Sequence, residues 1–314
     1  MFEKRQYCSN VSAANVGETV SLAGWVDRRR DHGGVIFIML RDVTGVIQVV
    51  TDESQTPDQL ATADRLRNEY CIFIEGTVRN RSQENVNPDL PNGDIEVVAD
   101  TISILSESEV PPFMLDSRES IAEEIRLKYR YLDLRRAPMQ TIMKARHTLM
   151  QSARNYLSRN NFFEIETPIL NKSTPEGARD FLVPSRLHAG HFYALPQSPQ
   201  LFKQILMISG FDRYFSIAKC FRDEDLRNDR QPEFTQIDME LSFVTPDMIM
   251  HTVEELLAEI VQELLGKTVS TPFQRMTYDD AMLRYGKDAP DTRFGFELKD
   301  VTSILKDSDF KVFS

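Results

Sequence analysis

Between residues 19 and 105 the chain alternates apolar and polar side chains with the two-residue period of β-strands. The segments are TVSLAGWVDRRR (19–30), GVIFIMLRD (34–42), VIQVVTD (46–52), YCIFIEGTVRNR (70–81) and DIEVVADTISIL (94–105). A period of two places every second side chain on one face, so these segments bury one face of a sheet and present the other. Between the third and fourth lies TPDQLATADRLRNE, with helical spacing at Leu60, Ala63 and Leu66–Arg67. Thr56 is placed to cap that helix and Pro57 fits its first turn. Five strands with one helix between the third and fourth is the order of an OB-fold barrel.

The outward face of such a barrel carries information. Ile36, Ile38 and Leu40 fall on one face of the second strand, Phe37, Met39 and Arg41 on the other. In the third, Ile47 and Val49 point inward and Gln48 outward. An aromatic ring beside an amide, near Arg28, Arg29, Arg30, Arg79 and Arg81, suits single-stranded nucleic acid. Bases stack on the ring, the amide reads an edge and the arginines hold phosphates. The same residues fit an aromatic packed under a loop with a solvated arginine rim. The net charge of −11 excludes nucleic-acid binding by bulk charge and leaves binding by a local basic face.

The second half has a different texture. The whole chain's 314-residue length suits two domains. Residues 106–136 read as a connector: a Pro-Pro pair ends the last strand, and the charged run IAEEIRLKYRYLDLRR follows, partly helical. An amphipathic helix is predicted over 139–160, with Ile142, Leu149, Ala153 and Tyr156–Leu157 on one stripe. A short strand follows in FFEIETPIL, carrying Pro168. A second long helix runs from Pro246 to Leu265, capped by Thr245. Strands and helices mix without βαβ alternation, which favours an α+β domain on a mostly antiparallel sheet. The divisions are 1–105, 106–136 and 137–314.

Several chemistries lack their signatures. No apolar run approaches the roughly 20 residues needed to span a bilayer, and the N-terminus has no secretory apolar region. Three well-separated cysteines, Cys8, Cys71 and Cys220, read as reduced cytosolic thiols rather than a disulfide frame or zinc site. Five scattered histidines, with His188 and His191 the only close pair, give no metal site. GxxxxGK[ST] is absent and no GxGxxG follows a strand, so a nucleotide here would be held by arginines.

The run FRDEDLRNDRQPEFTQIDMELSF (221–243) sets arginines among carboxylates and ends in strict alternation. Gln236, Asp238, Glu240 and Ser242 point one way, Ile237, Met239, Leu241 and Phe243 the other. With SIAKC before it, this run resembles motif 2 of class II aminoacyl-tRNA synthetases, in the wording of the bacterial-type aspartyl-tRNA synthetase family. STPEGARDFLVPSR (173–186) resembles that family's mobile substrate loop, QSPQLFKQ (197–204) its aspartate-reading segment, and the helix leading into FFEIETPIL its motif 1. The OB-like half matches its anticodon-binding domain.

The resemblance implies an α+β class II catalytic domain on an antiparallel sheet, following the barrel. The implied reaction joins ATP, with Mg²⁺, and L-aspartate into aspartyl-adenylate, then transfers aspartate to the 3′ end of tRNA. It implies Arg222 as the catalytic residue, its planar fork holding the α-phosphate and the aspartate carboxylate together. ATP is met by Asp223, Glu224, Gln231 and Phe234 as well, with Glu224 reading the adenine amino group and Phe234 stacking on the ring. Arg227 and Arg230 lie where the family's loop approaches phosphates and the acceptor stem, or form a solvated charge run. For aspartate it implies Glu176, Gln200 and Asp238 around the ammonium, Lys203 on the side-chain carboxylate, Ser198 in support and Gln236 on the same face. Gln236 and Glu240 either support the site or contact Mg²⁺, or make structural hydrogen bonds. Gly177 suits a closing loop.

For tRNA, the resemblance implies Arg28, His32, Phe37, Gln48 and Arg79 on the anticodon. Phe37 and Gln48 meet its middle base. His32 stands where strict family members often have leucine, and where those that also charge tRNA(Asn) often have histidine. Expected partners are therefore tRNA(Asp) and tRNA(Asn), with a homodimer formed through motif 1, in the cytoplasm and without a membrane. The family continues past DFKVFS with an inserted domain and motif 3, so the catalytic domain is expected to be incomplete at the C-terminus. A non-catalytic, tRNA-binding relative is the alternative.

Overall fold

A computed structural model describes residues 2–52, 57–115, 120–225 and 230–312. The expected Thr56 cap and Arg227 lie outside the described residues. The chain divides into two compact units, 1–144 and 145–314.

The first unit contains β1 (Arg5–Gln6), β2 (Thr19–Asp31), β3 (Val35–Arg41), β4 (Val46–Asp52), α1 (Pro57–Arg65), β5 (Cys71–Asn80) and β6 (Ile95–Ser106). These strands pair in the order β1-β2-β3-β4-β6-β5, and β2 also pairs with β5, so the sheet closes on itself. Closure leaves one interior. Val20, Leu22, Ile36, Ile38, Leu40, Ile47, Val49, Ile72, Ile74 and Val97 fill it, and Ala63 and Leu66 pack against it from α1 and its end. The inward residues expected for β3 and β4 are the buried ones. At the register shift between Glu75 and Gly76, β5 and β6 approach so closely that a Cβ on Gly76 would sit 2.2 Å from the Val98 carbonyl oxygen.

The residues after β6 are tied to this barrel by ion pairs. They form α2 (Glu123–Lys128) and α3 (Arg130–Asp133). Arg135 donates to Glu69 Oε2 at 2.7 Å, and its guanidinium lies 4.7 Å from the centre of the Trp25 ring. Glu69 is buried and also takes both bonds of Arg41 at 2.8 Å. Asp133, fully buried, accepts from Arg126 (3.0 Å), Arg130 (2.6 Å) and Arg136 (3.1 Å). The Arg126 hydrogen bond leads the causes that hold the Asp133 carboxyl below its usual range, against burial.

The second unit follows along α4 (Ala137–Arg159), inside which the division falls, then β7 (Phe163–Glu164), β8 (Leu182–Pro184), β9 (Phe192–Ala194) and α5 (Gln200–Ile208). Next come β10 (Arg213–Phe221), β11 (Glu233–Leu241), α6 (Pro246–Leu265), α7 (Tyr278–Tyr285) and α8 (Thr302–Leu305). β10 lies between antiparallel β11 and parallel β7. One face of this sheet, with Phe215, Ile217, Ile237, Met239 and Leu241, packs on Ala153, Tyr156 and Leu157 of α4 and Leu256 and Ile260 of α6. The bounds of α6 are those predicted. Thr245 Oγ1 accepts the Met248 N–H, and Gly266 ends the helix at φ 62°.

Three expectations need correction. β11 stops at Leu241, and Phe243 takes φ 56° and is 93% exposed, so the alternation does not carry it into the core. Ile142 is exposed, because the packed stripe of α4 begins only near Leu149. The strand in FFEIETPIL is two residues long and ends before Pro168, whose ring cannot extend a ladder. No helix among the described residues is long and apolar enough to cross a membrane.

Candidate functional site

Each unit holds one candidate site. In the barrel, Arg28, His32, Phe37, Gln48 and Arg79 all line a single 830 Å³ groove. The alternation of β3 and β4 delivers them: Phe37 pairs with Val50 and Met39 with Gln48, so the aromatic and the amide share the face opposite the core. Buried Glu96 accepts from Gln48 Nε2 and Arg79 Nε, each at 2.8 Å, and so fixes both groups. The His32 ring meets Phe37 edge-on, with centroids 5.6 Å apart. Asp31 accepts the Gly33 N–H and shapes the tip that carries His32.

In the second unit the polar face of β10–β11 forms the site. Cross-strand partners point the same way, so Tyr214 with Glu240, Ser216 with Asp238, Ala218 with Gln236 and Cys220 with Phe234 share it. Lys203, one turn into α5, donates to Asp238 Oδ1 at 2.8 Å and lies 3.4 Å from Glu240. Burial disfavours the Lys203 charge, but the Asp238 hydrogen bond and the two carboxylates outweigh it and raise the amine's pKa. Asp238 is 9% exposed, and its Oδ2 has no partner among the described residues.

The loop before β8 supplies Glu176. Ser198 Oγ donates to it at 2.7 Å and Thr174 Oγ1 at 3.0 Å. Gln197, 2% exposed, bonds both the N–H and the carbonyl of Ala178 and so pins this loop. Gln200 opens α5 three residues before Lys203. Gln236 accepts the Cys220 thiol hydrogen at 3.2 Å.

Beside these groups, a 600 Å³ pocket is lined by Arg222, Glu224, Gln231 and Phe234 with Arg146, Lys219, Arg230 and Thr235 among others. Arg222 sits 5.1 Å from the centre of the Phe234 ring. Arg230 lies 3.6 Å from Glu224, and Arg146 donates to Thr235 Oγ1 at 2.8 Å. Asp223 donates its backbone N–H to the Arg179 carbonyl. Cys220 lies within reach of both the Lys203–Asp238 cluster and Arg222. Burial and then the Asp238 charge push its thiol up to about 11, while Arg222, Glu176 and Lys203 also act on it.

A sheet face of carboxylates and amides met by Lys203 of α5 and followed by Arg222, after a closed barrel, is matched by known proteins over both units. Residues 122–311 match the family described as tRNA synthetases class II (D, K and N), and residues 20–105 match the OB-fold nucleic acid binding domain. The chain belongs to the class II tRNA synthetases of the D, K and N group. It is 54% identical over 314 residues to an aspartate–tRNA(Asp/Asn) ligase of a Geobacillus species, covering 100% of this chain and 53% of that protein. An aspartate–tRNA ligase of Bacillus licheniformis is 55% identical over 315 residues, again covering 100% of this chain and 53% of that one. Among solved structures, asparaginyl-tRNA synthetase from Pyrococcus horikoshii complexed with asparaginyl-adenylate matches with a TM-score of 0.73 and 30% identity. That match covers 85% of this chain and 59% of the other. The chain spans about half the length of the curated relatives it matches.

The synthetase unit holds groups that the sequence did not single out. Thr174 and Gln197 fix the Glu176 loop, Arg146 and Lys219 line the 600 Å³ pocket, and Tyr214 lies buried beneath the polar face. Gln197 stands beside Ser198 in a run already marked, so adjacency could have found it. Arg146 lies 89 residues from its partner Thr235 and left no local signal.

Proposed function

We propose that the protein carrying this chain is an aspartate–tRNA ligase. It joins L-aspartate to ATP as aspartyl-adenylate and passes aspartate to the 3′ end of tRNA(Asp) and, through His32, tRNA(Asn). The observation that carries this reading is Lys203 of α5 held between Asp238 and Glu240 of β11, with Arg222 directly after the paired strand β10. Such a cluster offers a cation to a second carboxylate and anions to an ammonium, which are the two ends of aspartate. The names of the Geobacillus and Bacillus relatives support the choice. A purely tRNA-binding role leaves this buried cluster without a purpose.

In the first step the α-carboxylate of aspartate attacks the α-phosphorus of ATP. A carboxylate–phosphate bond forms, the bond to the β-phosphate oxygen breaks and pyrophosphate leaves. The attacking group is ionised near pH 7, so no general base is required. Positioning and charge stabilisation carry the step. Arg222 holds the α-phosphate, its planar fork matching phosphate oxygens. Glu224 and Gln231 receive the nucleotide beside Phe234, and Mg²⁺ enters with ATP. Asp238, Gln200 and Glu176 take the ammonium, and Lys203 turns to the side-chain carboxylate with Ser198 and Gln236 nearby. A terminal tRNA hydroxyl then attacks the activated carbonyl and AMP leaves.

Residues 1–105 read the anticodon, residues 106–136 connect, and residues 137–314 carry activation. Exposed Phe163, Ile169 and Leu170 around the two-residue β7 support a homodimer through that edge. The substrates place the enzyme in the cytoplasm. The test is ATP–pyrophosphate exchange, which should require aspartate. Exchange driven equally by asparagine or lysine overturns the reading.

A further inference from the structure

Two buried polar atoms on this face, the Tyr214 hydroxyl and Asp238 Oδ2, make no close hydrogen bond among the described residues, although Asp238 and Ser216 lie near enough to the phenol to act on it as hydrogen-bonding neighbours. Tyr214 is 0% exposed and Asp238 9%. In the β10–β11 register Tyr214 stands opposite Glu240 and Ser216 opposite Asp238, so the phenol and the Asp238 carboxylate are diagonal neighbours on one face. Diagonal neighbours lie within reach of a long aromatic side chain. Burial, followed by the Asp238 charge, pushes the phenol's pKa well up, so it stays a protonated donor. A buried hydroxyl without a partner costs free energy.

The use follows from Lys203. Without substrate its ammonium is bonded to Asp238 Oδ1. On the proposed ligase reading, Lys203 must turn toward the substrate's side-chain carboxylate. Its three donors are then divided between Asp238, Glu240 and the substrate, so Asp238 holds a smaller share of the ammonium while still buried. An ionised carboxylate in that position needs replacement donors.

We propose that Tyr214 is a positioning residue for amino-acid capture: its hydroxyl donates to Asp238 when Lys203 is drawn to the substrate, and so holds Asp238 facing the substrate ammonium. Tyr214 touches no reacting atom; it acts through Asp238. This rests on the ligase reading, and nothing about the strand pattern alone requires it.

Tyr214→Phe removes only the hydroxyl and keeps the ring. Aspartate and ATP affinities and the thermal midpoint are measured in the protein carrying this chain. Because the hydroxyl makes no close hydrogen bond in the unliganded fold, the midpoint should change little. The KM for aspartate should rise about tenfold, the size of one hydrogen bond to a charged group, with the KM for ATP unmoved. Added to Asp238→Asn, Tyr214→Phe should cost nothing further in aspartate affinity. An unchanged aspartate KM, an equal loss for ATP, a lowered midpoint without selective loss, or full additivity with Asp238→Asn each overturns the proposal. If the unsubstituted protein gives no aspartate-dependent exchange, it is the ligase reading that fails.

Discussion

The barrel groove and the polar face of β10–β11 hold their recognition groups in opposite ways. In the groove, Gln48 and Arg79 are already bonded to buried Glu96, and His32 rests against Phe37. These groups sit on a closed barrel whose interior is filled. On the catalytic face, Lys203 and Asp238 satisfy one another, and Asp238 Oδ2 and the Tyr214 hydroxyl are left over. Glu176, on the loop before β8, accepts from Ser198 and Thr174, and Gln197 fixes that loop at Ala178. A surface that only binds can be built finished. On the ligase reading proposed above, the face that takes up a small zwitterion keeps internal ion pairs that the substrate exchanges for its own charges.

The largest effect should fall on the catalytic face alone. Arg222→Ala removes a preorganised charge from the α-phosphate and should lower aspartate-dependent ATP–pyrophosphate exchange about 10²- to 10³-fold. tRNA binding through the groove should be unchanged. Near-normal exchange would remove Arg222 from its role and dissolve the contrast between the two regions.

Asp133 tests the other side of the contrast, a charge cluster with structural work and no substrate. Asp133→Asn leaves three arginines around a neutral amide and should destabilise the first unit by about 3 kcal/mol. That is the low end for a broken buried pair, because Arg126 and Arg130 are partly in water. The folded carboxyl titrates below its usual value, so its stabilisation is present above pH 3.8 and is lost as the pH falls through the lower, folded pKa. Thermal midpoints of the two proteins should therefore differ most near neutrality and converge in acid. A constant gap down to low pH would mean that packing, not charge, is lost.

Lys203→Met sharpens the idea of exchange. A charge-assisted contact contributes about 1.5–3 kcal/mol, so the KM for aspartate should rise roughly 10- to 150-fold while that for ATP moves little. The raised pKa of Lys203 means that its contribution is complete below pH 10.5 and fades only as the pH climbs through the folded value. Its aspartate affinity should thus be insensitive to pH between 7 and 9. Equal effects on both substrates would point to a collapsed face instead.

These residues also mark how far the sequence could be read. The barrel was legible because a period of two with one helix admits few closures, and Ile36, Ile38, Leu40, Ile47 and Val49 all went inside. Helix α6 was legible to its ends through Thr245, Pro246 and Gly266, whose chemistry is local. Phe243 was misread because the strand's end is set by the turn that follows it, and Ile142 because only the second half of α4 meets the sheet. The roles of Lys203 and Asp238 came from resemblance. Their contact joins a helix and a strand 35 residues apart, which no local pattern encodes. Tyr214 reads as one more core aromatic in RYFSIAKCF until the register with Asp238 is known.

In the groove, Phe37→Ala removes a stacking platform worth about 1–3 kcal/mol. It should weaken tRNA(Asp) and tRNA(Asn) alike, since both carry uracil at the middle anticodon position, and leave adenylate formation untouched. A selective loss of one tRNA would place Phe37 on a base where the two differ.

The smallest effect tests that difference directly. His32 sits at the tip between β2 and β3, where its backbone N–H bonds the Val35 carbonyl and its ring lies edge-on to Phe37. The third anticodon base is C in tRNA(Asp) and U in tRNA(Asn). Cytosine offers an amino donor where uracil offers an oxygen acceptor, and an imidazole can answer either. Gly33 and Gly34 follow at φ 62° and 99°, backbone that other residues rarely adopt, so the tip has a shape of its own. Leucine at 32 keeps the bulk against Phe37 and loses both hydrogen-bonding modes. His32→Leu should therefore lower kcat/KM for tRNA(Asn) relative to tRNA(Asp) by several-fold, about 1 kcal/mol or less for one exposed hydrogen bond. Both transcripts must be compared at one salt concentration, because phosphate contacts weaken steeply with salt. An unchanged ratio would mean that the tip admits both bases by shape. A wild-type protein that ignores tRNA(Asn) would leave the groove reading aspartate tRNA alone, with His32 as a packing partner of Phe37.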